Sequence, residues 1–146
     1  MYKKILIPLE NSATDQVILQ HIRSLAKLTG ASLVFVHVAD GYVARLQQQL
    51  NLRDSEEIKE DRHYLDEQKN KFVHDGFTVK TYLATGEPSQ NILAIAEKEK
   101  CDLIAMSTHG HRFLKDLLLG SVAENIRHRT HIPILMIRAL PQQKNE

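Results

Sequence analysis

Cysteine is nearly absent: Cys101 is the only one among 146 residues. One thiol closes no internal disulfide and builds no Cys-rich metal site, so the sequence reads as an intracellular protein without a covalent framework. Cys101 itself, just ahead of an apolar run, reads as a small buried hydrophobe. Glycine and proline are also scarce, 6 and 4 residues, and with 42% hydrophobic and 25% charged residues this excludes a low-complexity or disordered chain. No charge of one sign accumulates, since 19 Lys and Arg stand against 18 Asp and Glu for a net +1, interleaved along the chain. Such a balance offers no field for a polyanion and argues against nucleic-acid binding. The reserve is histidine: protonating all of it would carry the charge to about +9. Long apolar runs are missing too. None approaches the ~20 residues that span a bilayer, and the opening through Pro8 has too short an apolar stretch for a secretion signal. The expectation is a cytoplasmic protein without membrane contact, built as one domain over 1–140 with a mobile polar tail over 141–146.

Four short runs rich in branched aliphatics are present, Ile5 to Leu9, Leu33 to Val38, Leu103 to Met106 and Ile134 to Ile137. Continuous apolar runs, rather than in-out alternation, are what parallel strands covered on both faces require. A fifth run, Phe77 to Leu83, is more polar and reads as an edge strand. Between these lie helical patterns. Val17, Ile18, His21, Ile22, Leu25 and Leu28 recur at three- and four-residue steps, and Gly30 follows as a stop. Ile58, Leu65 and Phe72 form a narrow stripe on a charged helix from about Leu50 to His74 that Gly76 closes. Pro88 opens a third helix with Ile92, Leu93 and Ala96 inward, and Val122, Ile126 and Arg129 mark a fourth that ends before Pro133.

The resulting β-α-β-α-β-α-β-α-β order, with right-handed crossovers, predicts an α/β three-layer sandwich around an open parallel sheet. Ligands of such sheets sit beyond the carboxyl ends of strands where the winding reverses, which directs attention to Pro8–Ser12, Val38–Gly41 and Ser107–Ser121. The last of these carries most of the chemistry. Gly110 lets backbone approach a ligand, and Gly120-Ser121 is expected at a helix N-terminus, where free amides, a hydroxyl and the dipole favour an anion. The plain alternative is a tight turn followed by an ordinary helix cap. The Gly-Lys-Ser/Thr of a P-loop and the three-glycine dinucleotide fingerprint are both absent.

This segment resembles the nucleotide loop of the universal stress protein family, whose ATP-binding branch has Gly-x2-Gly-x9-Gly-Ser/Thr. Gly110, Gly120 and Ser121 match, while Ser107 stands at the first glycine. The similarity extends along the chain: the opening Lys3-Lys4-Ile5-Leu6-Ile7-Pro8, His37-Val38, Gly86-Glu87-Pro88, and Pro133-Ile134-Leu135-Met136-Ile137. The resemblance implies a five-stranded sheet in the order 3-2-1-4-5, the adenine nucleotide alpha hydrolase-like arrangement. It implies an adenine nucleotide, ATP or AMP or ADP, with Mg2+ only as the nucleotide carries it. It also implies a homodimer joined through the last strand, Pro133 to Arg138.

Carried residue by residue, the resemblance places Pro8, Leu9 and Glu10 at the ribose and adenine, Glu10 standing where the family usually has Asp. Val38 borders the adenine, Met106, Ser107 and Gly110 form the ribose and phosphate wall, and Gly120, Ser121 and Val122 supply phosphate contacts; beside this, His109 is expected at the site, packing or hydrogen-bonding within the loop, and Arg112 is expected to face solvent and be free to approach phosphates. Ser107 adds a side chain where the family's binders keep the backbone bare, which either narrows the pocket or offers a hydroxyl to a phosphate.

Three functions are consistent with this pattern. The first is a nucleotide-binding sensor or regulator of stress survival. The second is a dimeric interaction protein in which Ser107 and Glu10 close the site. The third is a slow ATPase using Glu10 or His109 as acid or base. A metal site at His109-x-His111, with His128 and His131 further on, lacks a clear third ligand, so no metal is expected. The stretch from Tyr42 to Asn70 reads as a solvated helix face whose early part could form a flap.

Overall fold

A computed structural model describes residues 1–39, 56–109 and 117–139. The chain runs β1 (Lys4–Pro8), α1 (Asp15–Thr29), β2 (Ser32–Ala39), α2 (Glu56–His74), β3 (Val79–Thr85), α3 (Pro88–Lys98), β4 (Leu103–His109), α4 (Leu117–Arg129) and β5 (Ile134–Ala139). All pairings are parallel and the strand order is β3-β2-β1-β4-β5, as the resemblance implied. The expected flap, Gly110 to Asp116 and the tail lie outside the described residues.

The apolar runs form strands because both sheet faces are covered. On one face Ile5, Ile7, Leu33, Phe35, Leu103 and Ala105 pack against Ile18 and Ile22 of α1 and Leu65 and Phe72 of α2. On the other, Leu6, Val34, Val36, Ile104 and Met106 pack against Ile92 and Ala96 of α3 and Val122 and Ile126 of α4. Successive strand residues thus serve opposite helix layers. Phe72 meets Phe35 edge-on, with centroids 5.2 Å apart at 84°, which anchors the otherwise polar α2 to the sheet.

Several boundaries differ from expectation. The third strand starts at Val79 rather than Phe77 and reaches Thr85; it is an edge, as expected. β4 continues to His109, which the sequence reading put in a loop, because Thr108 and His109 stay in register with Arg138 and Ala139. α4 begins at Leu117, so Gly120 and Ser121 are its fourth and fifth residues rather than its cap. In α1 the buried face is Asp15, Ile18, Leu19, Ile22 and Ala26, leaving His21 exposed and Leu28 86% exposed. Leu28 lies two residues beyond Ala26, which turns it away from the sheet. Gly30 stops α1 with φ 74°, its amide donating to Ala26.

At α3, Glu87 accepts from the amides of Ser89 (3.1 Å) and Gln90 (2.7 Å) and caps the helix that Pro88 opens. At its far end the Glu99 carboxylate accepts from Lys80 Nζ (2.8 Å), the Tyr82 hydroxyl and Lys4 Nζ (3.4 Å), tying α3 to β3 and β1. The Lys80 and Tyr82 bonds hold the Glu99 carboxyl down, from an ordinary 4.5 to about 2.

The turn after β1 is organised by Asp15, which has no exposed surface. Its carboxylate accepts from the amides of Glu10 (3.0 Å), Asn11 (2.9 Å) and Ser12 (3.4 Å) and from the Tyr64 hydroxyl of α2 (2.6 Å). Burial pushes the Asp15 carboxyl up, against the opposing pull of Tyr64 and the amides.

Two stability effects are expected. Glu99 has a depressed folded pKa, so its contribution is complete above about pH 4.5 and disappears as the pH falls toward about 2. Urea unfolding of wild type should therefore lose more stability across that window than Glu99→Gln; equal slopes would contradict the assignment. Asp15→Ala leaves three amides and a hydroxyl without their acceptor and should cost about 3 kcal/mol, against about 1.5 kcal/mol for Tyr64→Phe. Denaturant midpoints at unchanged m measure both.

Candidate functional site

The sheet opens where β1 and β4 part. Their pairing covers only Ile5 with Leu103 and Leu6 with Ile104, whereas β1 stays paired with β2 through Pro8 opposite Val36. Proline causes the asymmetry. Alternate residues of a strand inside a parallel sheet bond to opposite neighbours, and the Leu9 amide donates to Val36 O at 2.7 Å, so residue 8 is the one whose N–H would face β4. Pro8 has none.

A cavity of about 430 Å³ lies at this carboxyl edge. Pro8, Leu9, Glu10 and Asn11 form its floor on the β1 side, and Val36 to Ala39 continue it along β2. Glu57, Glu60 and Asp61 of α2 form one wall, while Pro88 and Ile92 of α3 with Val122 of α4 form the other. One side is therefore carboxylate-rich and the opposite side apolar, an arrangement suited to a flat ligand with hydroxyl or amine donors along one edge.

Five of the residues singled out from sequence line this cavity: Pro8, Leu9, Glu10, Val38 and Val122. Met106 and Ser107 do not; they are 1% and 3% exposed inside β4, because that strand runs on past them. His109 closes β4, Gly120 and Ser121 sit near the start of α4, and Gly110 and Arg112 fall outside the described residues. The Glu10 carboxylate accepts from Thr14 Oγ1 (3.1 Å) and Ser12 Oγ (3.4 Å), so its own turn orients it.

Sequence reasoning missed the side chains that link the floor to the α2 wall. Asn11 adopts φ 62°, a left-handed turn that asparagine tolerates, and its Nδ2 donates to Asp61 Oδ1 at 3.0 Å. The His37 Nδ1–H donates to Leu9 O at 2.7 Å, and His37 Nε2 lies 3.1 Å from Asp61 Oδ2. Thus the imidazole lining the described part of the cavity is His37, while the side chain of His109 lies outside what the structure describes. The available signal was a lone polar residue ending an apolar strand on the carboxyl side of the sheet.

The sequence profile described as the Universal stress protein family matches residues 1–138. Universal stress protein MJ0577 of Methanocaldococcus jannaschii is 30% identical, the alignment covering 94% of this chain and 96% of that protein. Universal stress protein YxiE of Bacillus subtilis is 28% identical over 94% of this chain and all of that protein. The solved structure of MJ0577 superposes over the whole of this chain and 99% of its own, with a TM-score of 0.77 and 32% identity. The fold is shared at lower identity with a universal stress protein solved in complex with cAMP (17%, TM-score 0.69, covering 95% of this chain and 98% of that one). It is shared likewise with one from Archaeoglobus fulgidus in complex with dAMP (19%, TM-score 0.68, covering 93% and 98%). With a family match spanning nearly its full length, this chain belongs to the universal stress protein family.

Proposed function

We propose that the protein binds an adenine nucleotide, ATP or a related species, at the carboxyl edge of β1 and β2, and acts in the cytoplasm as a sensor or regulator in the stress response. The observation that carries this reading is the cavity of about 430 Å³ at the point where β1 and β4 separate, with Glu10 on its floor and an apolar wall opposite. Family members solved with cAMP and with dAMP support an adenine nucleotide as the class of ligand.

In this reading Glu10 accepts from ribose hydroxyls, with Pro8 and Leu9 beneath the sugar, and Val38 borders the base. Val122 faces the nucleotide from α4. The phosphates run toward the β4–α4 connection, where His109 and Gly110 flank the ribose and phosphate path and Arg112, Gly120 and Ser121 reach the phosphates, while Met106 and Ser107, buried in β4, stand behind that path without lining it. Mg2+ enters only with the nucleotide. Both ring nitrogens of His37 are already engaged, one by Leu9 O and one by Asp61. It is thus poorly placed as a general base.

The same reading pairs two copies through β5. Among the described residues this edge strand is bonded only to β4, and Ile134, Leu135 and Ile137 are half-buried with Met136 47% exposed. A two-fold partner would cover both the apolar side chains and the open backbone edge.

Denaturing the purified protein should release an adenine nucleotide. ATP added back at about 100 times its Kd should stabilise the fold by about 2.7 kcal/mol, read as a concentration-dependent rise in thermal midpoint. Gly120→Val should abolish that rise. A protein with no nucleotide and no shift would instead be the dimeric interaction protein, and phosphate released at a rate that depends on Glu10 would indicate an ATPase. Sedimentation should give a dimer that Met136→Asp dissociates; a monomeric wild type would count against pairing through β5.

A further inference from the structure

Resting on the reading of the cavity as a nucleotide site, we propose that Asn11 is a positioning residue for its ligand: the side-chain amide straps the cavity floor to the first turns of α2 and fixes the spacing of the two surfaces that enclose the nucleoside. The strap is one hydrogen bond, in which Asn11 Nδ2 donates to Asp61 Oδ1 at 3.0 Å. Both residues line the cavity, Asn11 from the turn after β1 and Asp61 from the facing wall. The acceptor is only 7% exposed, which limits competition from water.

The root of the strap is fixed. Asn11 holds φ 62°, and its backbone N–H donates to Asp15 Oδ2 at 2.9 Å, so the side chain leaves a turn already pinned to a wholly buried carboxylate. Asp61 therefore meets a fixed point, and the position of the wall follows from it.

The wall depends on this tie because the other attachments of α2 lie elsewhere. The helix enters the main core through Leu65 and Phe72, neither of which lines the cavity. Tyr64, which donates to Asp15, does not line it either. The part of α2 that does, from Glu57 to Asp61, has Ile58 as its one buried apolar residue, in a separate small cluster with Ala39 and Leu83. Asp61 Oδ2 also lies 3.1 Å from His37 Nε2, a contact that runs to β2, whereas the strap runs to the turn that carries Glu10. Without the strap α2 stays attached through Tyr64, Leu65 and Phe72, while its first turns are looser against the floor. A ligand must then order them as it binds, and that cost lowers affinity.

The experiment measures the affinities of adenosine, AMP and ATP by calorimetry in wild type, Asn11→Gly, Asp61→Ala and the double variant, with urea midpoints alongside. Glycine takes a positive φ at no steric cost, so Asn11→Gly removes the strap and keeps the turn. It should weaken all three ligands alike, by about fivefold, the worth of one hydrogen bond of ordinary net strength, because the strap borders the nucleoside and not the phosphates. The double variant should lose less than the product of the two single losses, since the strap can be cut only once. Unchanged affinities in Asn11→Gly, with or without a lower urea midpoint, would overturn the proposal, as would losses that multiply in the double variant or fall on ATP alone; each leaves the nucleotide reading intact. No binding of any of the three by wild type would overturn the nucleotide reading and this proposal together.

Discussion

β1 lies at the centre of the sheet with Ile5, Leu6 and Ile7 wholly buried, two on one face and one on the other, and it is bonded on both edges. A strand enclosed in this way can present chemistry only from its end. That constraint places the site. Because Pro8 lacks the N–H that would face β4, the enclosure fails first at its carboxyl end, on the side where the winding of the sheet reverses. The residues immediately after it, Leu9 to Ser12, are left to shape the opening.

Those residues are held by polar contacts to a buried carboxylate, although Asn11 and Ser12 themselves are exposed. Asp15 gathers the amides of Glu10, Asn11 and Ser12 onto one carboxylate from the first turn of α1, and Tyr64 brings α2 to the same group. Asp61 makes a second attachment from α2 through Asn11 and His37. α2 buries only Ile58, Leu65 and Phe72 of its apolar residues, and a stripe so narrow fixes a helix against a sheet without fixing its rotation closely. The two carboxylates supply the remaining orientation. The same contacts that complete the fold of α2 thus set the shape of the cavity wall.

Periodicity makes the strands and helices readable in the sequence, since a run such as Ile5 to Leu9 has few uses other than a doubly covered strand. The rule that ligands sit beyond strand carboxyl ends pointed to Pro8, Leu9, Glu10 and Val38, and the family resemblance added Val122; all five line the cavity. Sequence reading failed where register or distance decided the outcome. Thr108 and His109 carry no apolar signal, yet they remain in β4 because β5 continues beside them. Asp15 with Tyr64 and Asn11 with Asp61 join positions 49 and 50 residues apart, a separation over which no local pattern operates. Asp15 read alone is an ordinary acidic residue in the first turn of a helix, and only its burial under α2 gives it a further role.

The two edges of the sheet are finished differently, and this bears on how the molecule can associate. β3 carries Lys80 and Tyr82, both committed to Glu99, with Lys98 lying 5.4 Å from the Tyr82 ring centre. An incoming strand there would meet charge already organised for other work, one of the ways an edge is blunted. β5 has no comparable guard along its apolar stretch: Ile134, Leu135, Met136 and Ile137 precede its single charge, Arg138, and all four keep surface exposed. Extension of the sheet through β5 is therefore less hindered than through β3. Pairing at that edge would also leave the cavity at the carboxyl ends of β1 and β2 open to ligand, since β4 stands between β5 and β1.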